Sequence, residues 1–361
     1  MPTTLIVQID GCDPAYLAAA ETPTLDRIAR EGWAREALAV VPSVTNVNSV
    51  SLVTGEFPEA HGIASNYRID PATGEGAYVE SAEFVRCPTW FERHPQADSL
   101  VLVAKEKLLR MTGRGARRAL TAEAPPGDLI EACGEPASIY TAAINLWLFD
   151  ACRHLLRCNP PALIYLATSD WVFHTYAPEE AEAQVYVQNL DTKLAELLDS
   201  APDLELYVTA DHGMNAKTRA LNPAITLAEA GIDATLVPII RDRYVAHHQN
   251  LGGAAYVYLR RNSDLPAARE RIARLPGVED VLTREEAATR FRLPADAIGE
   301  LMLLADVDTV FGELPRAEQR VSLRSHGSVH EQRVPLYARN ASVTPAGIQY
   351  HLDVTRSLAA R

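Results

Sequence analysis

Leu206-Tyr-Val-Thr-Ala-Asp-His-Gly-Met-Asn-Ala-Lys217 is the stretch that decides the fold. It begins as an apolar run containing β-branched residues, which predicts a buried strand of an α/β sheet. The run stops at Asp211-His212-Gly213, where a carboxylate and an imidazole are neighbours and a glycine lets the chain turn. Open α/β sheets bind ligands at the carboxyl ends of their strands. Taken alone, the stretch fits either a ligand site or a helix-capping Asp beside a solvated His.

Two other predicted strands also end in a carboxylate. Leu5 to Ile9 leads into Asp10, and the apolar run from Ala162 leads into Asp170. Between the strands, helical patterns cover Thr22 to Arg30, Ala142 to Leu156 and Glu179 to Asp199. This alternation predicts an α/β sandwich with a largely parallel sheet.

The 361 residues are enough for a main domain and a smaller one. We assign residues 1–107, 139–243 and 311–361 to the core, and residues 108–138 and 244–310 to a cap or insert. The first insert is rich in arginine and is predicted to leave the sheet. The second has the strand and helix pattern of a small α+β unit.

Composition narrows the classes of partner. The net charge of −13 disfavours nucleic acid and anionic membranes, but a local pocket can still bind a small anion. The five cysteines are odd in number and have no CxxC spacing, which indicates reduced thiols and a cytoplasmic protein. The segment from Met1 to Asp10 has neither a basic region nor a long apolar one, so we expect no signal peptide and no membrane span.

The three strand-end carboxylates would repel one another at one sheet edge, and a divalent cation removes that repulsion. Histidines close to them in sequence, or in a late loop, supply nitrogen ligands. The candidate ligands are Asp10, Asp170, Asp211, His174, His212 and His326. Ligation by Asp and His without thiolate suits zinc, with manganese or iron as substitutes. For each His alone, a solvated or hydrogen-bonded structural role is the alternative.

Six ligands are too many for one tetrahedral zinc with an open position, and they suit two metals. Two-metal phosphoryl chemistry needs a nucleophile, and Thr45 in Pro42-Ser-Val-Thr-Asn-Val-Asn48 is the candidate. A helix starting there would also present backbone N–H groups to an oxyanion. The alternative is that Thr45 or Ser43 only caps the helix.

Several passages together resemble a known family. They are Val41-Pro-Ser-Val-Thr-Asn-Val-Asn48, Ser51-Leu-Val-Thr-Gly55, His61-Gly-Ile, Ala104-Lys-Glu-Lys107, Thr209-Ala-Asp-His-Gly-Met-Asn-Ala-Lys217, Tyr244-Val-Ala-His-His248 and Leu323-Arg-Ser-His-Gly327. With Asp10 and Asp170-x-x-x-His174, they resemble the nucleotide pyrophosphatase/phosphodiesterase branch of the alkaline phosphatase superfamily. Within that branch, the chain resembles the phosphonoacetate hydrolase family.

The resemblance implies an alkaline phosphatase-like α/β/α sandwich with a small inserted α+β cap, and a site with two zinc ions. One zinc would be held by Asp170, His174 and His326. The other would be held by Asp10, Asp211, His212 and Thr45, with Thr45 also acting as nucleophile. Asn66 would bind a phosphoryl oxygen, and Lys105 and Lys107 would hold the substrate's carboxylate. Zinc could be replaced by manganese or iron.

Lys105 and Lys107 help to indicate which substrate the site takes. Cleaving a C–P bond expels a carbanion, which becomes feasible when an adjacent carboxylate takes up charge as an enolate and cations stabilise it. If the chain is still extended, Lys105 and Lys107 point the same way; the alternative is a solvated pair at a helix start. The chain departs from the family in reading Val-Thr-Asn-Val-Asn48 instead of Phe-Thr-Asn-Pro-Asn, and in a short segment after Lys107.

The predicted function is hydrolysis of phosphonoacetate to acetate and phosphate through a phosphothreonine. A nucleotide pyrophosphatase or phosphodiesterase on the same site is the main alternative, followed by a phosphomutase and a metal-stabilised binding protein. A sulfatase is disfavoured because the sequence has no Cys-x-Pro-x-Arg. The roles of His247, His248 and Arg324 stay open, as does a homodimer.

Overall fold

The computed structural model describes residues 3–70 and 73–360. The strands are β1 (Thr4–Gln8), β2 (Trp33–Leu38), β3 (Tyr67–Ile69), β4 (Gly76–Tyr78), β5 (Ser99–Val103), β6 (Arg118–Thr121), β7 (Leu163–Ala167), β8 (Glu205–Thr209), β9 (Asn215–Leu221), β10 (Ala234–Pro238), β11 (Ala254–Leu259), β12 (Val278–Thr283), β13 (Leu301–Ala305), β14 (Thr309–Phe311), β15 (Glu318–Ser325) and β16 (Arg333–Arg339). The α-helices are α1 (Pro14–Ala19), α2 (Pro23–Glu31), α3 (Thr45–Thr54), α4 (Pro58–His61), α5 (Trp90–Arg93), α6 (Glu106–Thr112), α7 (Gly127–Cys133), α8 (Ala143–Cys158), α9 (Trp171–Thr175), α10 (Ala181–Ser200), α11 (Pro223–Glu229), α12 (Val245–His248), α13 (Leu265–Ile272), α14 (Arg284–Phe291) and α15 (Asp353–Ala359).

The central sheet has the strand order β2-β16-β8-β1-β7-β5-β6. Strands β8, β1, β7, β5 and β6 are parallel, and β16 is antiparallel to both of its neighbours. Strands β1, β5 and β8 are buried along their whole length, which explains the apolar residues at their centres. Helices α1, α2 and α8 contact α10, whereas α4, α6 and α15 contact α3. Two groups of helices therefore cover the sheet, and the predicted α/β/α sandwich is confirmed.

Four consecutive strands of this sheet, β8, β1, β7 and β5, end at the same level. Gln8 at the end of β1 pairs with Thr209 on one side and Ala167 on the other, and Val103 also pairs with Ala167. The chain leaves all four strands at one edge. The first charged residues after these ends are Asp211, Asp10, Asp170 and Lys105.

The second unit is an antiparallel sheet of order β10-β11-β13-β12. It packs with α11 and α13 around a hydrophobic cluster of its own. A further sheet, β14-β9-β15, brings the end of β15 to His326. The small α+β unit predicted from the sequence is therefore present.

Two stretches pair differently from the prediction. Within 108–138, β6 forms the edge of the central sheet beside β5, so the predicted departure from the sheet is wrong there. β10, which we assigned to the core, pairs with β11 in the second unit. β6 is short and only partly buried, so its sequence carries little apolar signal. β10 is apolar, and its sequence does not show which of the two sheets it joins. The division into core and cap otherwise stays a prediction.

Among residues 3–70 and 73–360, no helix is both long enough and apolar enough to cross a bilayer. Met1 and Pro2, at the start of the segment judged not to be a signal peptide, lie outside the described residues.

Candidate active site

The strand-end residues meet at one buried edge of the central sheet. Lys105 Nζ lies 2.9 Å from Asp170 Oδ1 and 3.9 Å from Asp10 Oδ2. Asp211 Oδ1 accepts a hydrogen bond of 3.0 Å from the backbone N–H of Gly11, the residue after Asp10. The level ends of four parallel strands thus bring together carboxylates that are distant in sequence.

The first group of candidate metal ligands is Asp170, His174 and His326. Asp170 precedes α9 and His174 lies one helical turn later, so both side chains share a face. His174 Nε2 is 3.0 Å from Asp170 Oδ2, and His326 Nε2 is 3.9 Å from the same oxygen. All three side chains are buried, and the structure assembles this predicted set.

The second group is Asp10, Asp170 and His212, so Asp170 belongs to both groups. From the sequence we expected Asp211, and not Asp170, beside Asp10 and His212 in this group. Asp211 Oδ2 is 3.4 Å from His212 Nε2, the same distance as Asp10 Oδ1. The six predicted ligands therefore form one continuous cluster.

Backbone carbonyls orient the three histidines. In each ring Nδ1 faces a carbonyl oxygen, at 2.7 Å for His174, 2.9 Å for His212 and 2.8 Å for His326. A carbonyl only accepts, so Nδ1 carries a hydrogen in each ring and Nε2 is the nitrogen left to bind a metal, which would displace any proton on it. This tautomer is the one that metal-ligating histidines use when their second nitrogen is hydrogen-bonded.

Three buried polar atoms of the cluster have no hydrogen-bond partner among the described residues. They are Asp10 Oδ2, Asp211 Oδ2 and His326 Nε2. A buried polar atom without a partner is costly, and two of these atoms belong to carboxylates. Cations would give all three a partner. The donor set and its vacant lone pairs therefore fit a divalent metal.

The electrostatics of the cluster support the same conclusion. Burial and the neighbouring charge of Asp10 raise the pKa of Asp211 well above its usual value. Burial lowers the pKa of His212, but Asp211 and Asp10 outweigh it and raise that pKa to about 9. Burial also opposes ionisation of Asp170, yet Lys105 and His174 hold its pKa well below the usual range. Without a cation, protons and a lysine balance these carboxylates.

Thr45 is the first residue of the buried helix α3, as predicted. Its Oγ1 lies 3.2 Å from Asp10 Oδ1 and 3.2 Å from His212 Nε2. The preceding loop is fixed by Asn48, which the sequence reading did not single out. Asn48 Oδ1 accepts from Val40 N–H, and its Nδ2 donates to the carbonyls of Val40, Pro42 and Val44. The nucleophile candidate is thus held against the ligand cluster.

Lys105 and Lys107 are both buried, at 4% and 2% exposure. Lys105 has extended backbone and precedes helix α6, whereas Lys107 lies inside the helix, so the chain is not extended across the pair. The alternative of a solvated pair is also wrong, because both side chains are buried. Lys105 pairs with Asp170, whereas Lys107 pairs with Asp242. Both ammonium groups still lie under one ring, 5.9 and 5.4 Å from the centroid of Tyr244.

The family follows from comparison with known proteins. The profile described as type I phosphodiesterase/nucleotide pyrophosphatase matches residues 4–132 and 137–328. The chain belongs to this family. The prediction of a nucleotide pyrophosphatase/phosphodiesterase relative is thereby confirmed.

Solved structures of this family define the similarity more closely. Phosphonoacetate hydrolase from Sinorhizobium meliloti 1021, in complex with phosphonoacetate, is 33% identical with a TM-score of 0.91, over 99% of this chain and 96% of that one. Its complex with phosphonoformate gives a TM-score of 0.90. The predicted resemblance to phosphonoacetate hydrolase is confirmed. Human ectonucleotide pyrophosphatase/phosphodiesterase 5, at 18% identity and a TM-score of 0.72, shares the fold.

Curated relatives in the family match less of the chain. An uncharacterized pyrophosphatase/phosphodiesterase of Schizosaccharomyces pombe is 25% identical, over 59% of this chain and 44% of its own length. Human ectonucleotide pyrophosphatase/phosphodiesterase family member 1 is 26% identical over 59% of this chain and 24% of its own length. This chain therefore spans less than half the length of these two relatives.

Asp242 is a further charged residue of the site that the sequence pattern did not predict. Asp242 is buried and accepts from Lys107, Asn66 and His248. The available signal was its position two residues before the Tyr244–His248 passage that resembles the family.

Two residues whose roles the sequence left open, His247 and Arg324, lie in different parts of the site. His247 Nε2 is 3.4 Å from Asp170 Oδ1, beside the ligand cluster. Arg324 donates to the carbonyls of Phe173 and Met214, so it braces the loops that carry the ligands.

Proposed function

We propose that the chain is a metal-dependent hydrolase that cleaves the C–P bond of phosphonoacetate to give acetate and phosphate. One observation carries the proposal: a hydroxyl, a cluster of Asp and His with vacant lone pairs, and two buried lysines lie at the same sheet edge. The 33% identity to phosphonoacetate hydrolase over 99% of the chain supports this substrate.

The cofactor in this proposal is a pair of zinc ions, which manganese or iron could replace. Asp170, His174 and His326 would hold one ion. Asp10, Asp211, His212 and Thr45 would hold the other. When bound, the ions lower the pKa of hydroxyl and water and neutralise phosphonate charge. The unpaired atoms Asp10 Oδ2, Asp211 Oδ2 and His326 Nε2 support this assignment.

Thr45 is the nucleophile in the first step. Asp10 Oδ1 and His212 Nε2 fix the position of its Oγ1, each at 3.2 Å. Oγ1 attacks phosphorus, and the Oγ1–P bond forms as the C–P bond breaks. Thr45 loses its hydroxyl proton to solvent, and the methylene carbon later takes up one proton from solvent, so the number of protons balances.

The lysines act on the leaving group. As the C–P bond breaks, its electron pair passes into the adjacent carboxylate and forms an enolate. Buried ammonium groups stabilise that charge more strongly than they would in water. Lys105 and Lys107, beneath the Tyr244 ring, are the cations for this role. Protonation of the enolate carbon then gives acetate.

Water completes the reaction by attacking the phosphothreonine, which returns the Thr45 hydroxyl and releases phosphate. Asn66 would orient a phosphoryl oxygen in both steps. In the structure, Asn66 Nδ2 donates to Asp242 Oδ2 at 3.2 Å, and its Oδ1 has no hydrogen-bond partner among the described residues. Contact with phosphate would therefore involve a shift of this hydrogen bond.

A phosphodiesterase acting on nucleotide esters is the second candidate, because the family profile and the curated relatives favour it. The test measures phosphate from phosphonoacetate and nitrophenol from a nitrophenyl nucleotide ester, with zinc and with a chelator. We expect chelator-sensitive phosphate release to exceed ester hydrolysis by at least about a hundredfold in kcat/KM, about 2.7 kcal/mol of transition-state preference. Faster ester hydrolysis would replace the first function with the second.

The proposal also includes a cytoplasmic location and, as an open option, a homodimer. All five cysteines are free, which supports a reducing compartment.

A further inference from the structure

Asp242 is a buried carboxylate at which the residues proposed to bind substrate meet. Its Oδ2 accepts from the Lys107 ammonium and, at 3.2 Å, from Asn66 Nδ2. Its Oδ1 accepts from the Tyr244 N–H at 2.7 Å and faces His248 Nε2 at 3.1 Å. Both oxygens are thus fully engaged, and the exposure of Asp242 is 4%.

Asp242 also changes the charge beside the lysines. Lys107 is paired with Asp242, whereas Lys105 lies against Asp170 and Asp10 of the ligand cluster. In the metal-loaded site the ions would balance the carboxylates of the cluster; Lys105 and Lys107 then count as two positive charges and Asp242 as one negative charge, which leaves one net positive charge. The Lys107 ammonium holds the pKa of Asp242 well below its usual value despite burial, so this carboxylate is ionised.

Tyr244 covers the two lysines and separates their charges from water. The Tyr244 ring lies over both ammonium groups, and the Tyr244 hydroxyl donates to Glu123 Oε2 at 3.0 Å. The ring therefore keeps water from the lysines. Charges separated from water interact strongly, so one added or removed charge changes anion binding greatly.

We infer that Asp242 sets the charge of the subsite for the distal group of the substrate, so that two buried lysines present one net positive charge to a single carboxylate. The inference rests on the proposed function and deepens it. Asp242 is a positioning and specificity-determining residue, because it acts through Lys107 and Asn66. A subsite with two net charges would also retain the product acetate.

The test compares two ligands that differ by one charge: phosphonoacetate and its neutral amide, phosphonoacetamide. Their dissociation constants are measured by calorimetry on zinc-loaded protein in a Thr45→Ala background, so that neither ligand is consumed. The ratio of the two constants reports the charge of the distal subsite. Both ligands carry the same phosphonate group, so a change that alters phosphonate binding affects both dissociation constants equally and cancels in their ratio.

Three variants separate charge from structure. Asp242→Asn should raise the preference for phosphonoacetate at least about tenfold, and Lys107→Met should lower it at least about tenfold. The double variant has the original net charge and should return to within about threefold of the parent. A purely structural Asp242 predicts instead that the double variant discriminates worse than either single variant.

Glu205→Gln is the matched control. Glu205 is a buried carboxylate at the start of β8, away from the site, and it accepts from Thr4, Tyr207 and Ser342. Its loss should leave the ligand ratio unchanged. Circular dichroism and zinc content establish that each variant is folded and loaded.

The outcomes distinguish this inference from the proposed function. Binding needs no turnover, so a protein that fails to hydrolyse phosphonoacetate overturns the proposed function while the ratio still tests Asp242. An unchanged ratio in Asp242→Asn, or no recovery in the double variant, overturns the inference. Failure of the parent to prefer phosphonoacetate over its amide also overturns it.

Discussion

The ligand cluster and the Lys107–Asp242 pair are both buried and charged, but only one is complete. In the cluster, Asp10 Oδ2, Asp211 Oδ2 and His326 Nε2 have no hydrogen-bond partner among the described residues. At Asp242, both carboxylate oxygens are engaged by neighbouring donors. The cluster therefore has donor atoms left for a metal ion, whereas the pair is completed by the chain alone.

Removing the nucleophile is the largest expected effect. Thr45→Ala should lower kcat for phosphonoacetate at least about a thousandfold, because no other side chain then attacks phosphorus in place of Thr45. Zinc content should stay at no less than one ion per chain, since the carboxylates and imidazoles are retained.

Thr54→Ala is the control for that variant. Thr54 is buried at the other end of the same helix, where its Oγ1 donates to the Val50 carbonyl. Near-normal kcat in Thr54→Ala is expected. Residual activity above about one tenth in Thr45→Ala would remove Thr45 from its role.

Lys217 and Glu331 form a second buried ion pair, which the chain also completes by itself. Lys217 Nζ lies 2.8 Å from Glu331 Oε1 and 2.8 Å from the Val307 carbonyl oxygen, away from the lysines of the site. Lys217→Met should lower the free energy of unfolding by about 3–5 kcal/mol, because Glu331 stays buried without its partner. Denaturant titration measures this change.

Lys193→Met supplies the exposed counterpart, since Lys193 forms partly exposed ion pairs with Asp150 and Glu196. Its loss should cost no more than about 1 kcal/mol. Equal losses for the two variants would show that the buried pair contributes no more than a surface pair.

Much of the ligand cluster could be predicted from the sequence, because local patterns determine it. Apolar runs ending in Asp10, Asp170 and Asp211 mark parallel strands, and such strands end at one edge. The pattern could not show that Asp170 belongs to both ligand groups, since that depends on the order of the strands.

The Asp242 side of the site could not be predicted because its contacts join distant segments. Asn66 and Asp242 come from two loops and Lys107 from the first turn of α6, and their sequence separation carries no periodic signal. The same reason explains β6, whose pairing with β5 outweighs its weak apolar pattern. Local sequence therefore predicts the residues that ligate, and tertiary packing decides which charges surround the substrate.

The cluster should bind metal ions and the Lys107–Asp242 pair should not. The zinc content of two variants that carry the same chemical change, one in each region, tests this most directly. Wild type, Asp211→Asn and Asp242→Asn are loaded with zinc, dialysed and analysed by mass spectrometry for metal per chain. We expect about two ions in wild type and in Asp242→Asn, and about one in Asp211→Asn, because only Asp211 belongs to the incomplete cluster. Two ions retained in Asp211→Asn, or ions lost from Asp242→Asn, would contradict the account.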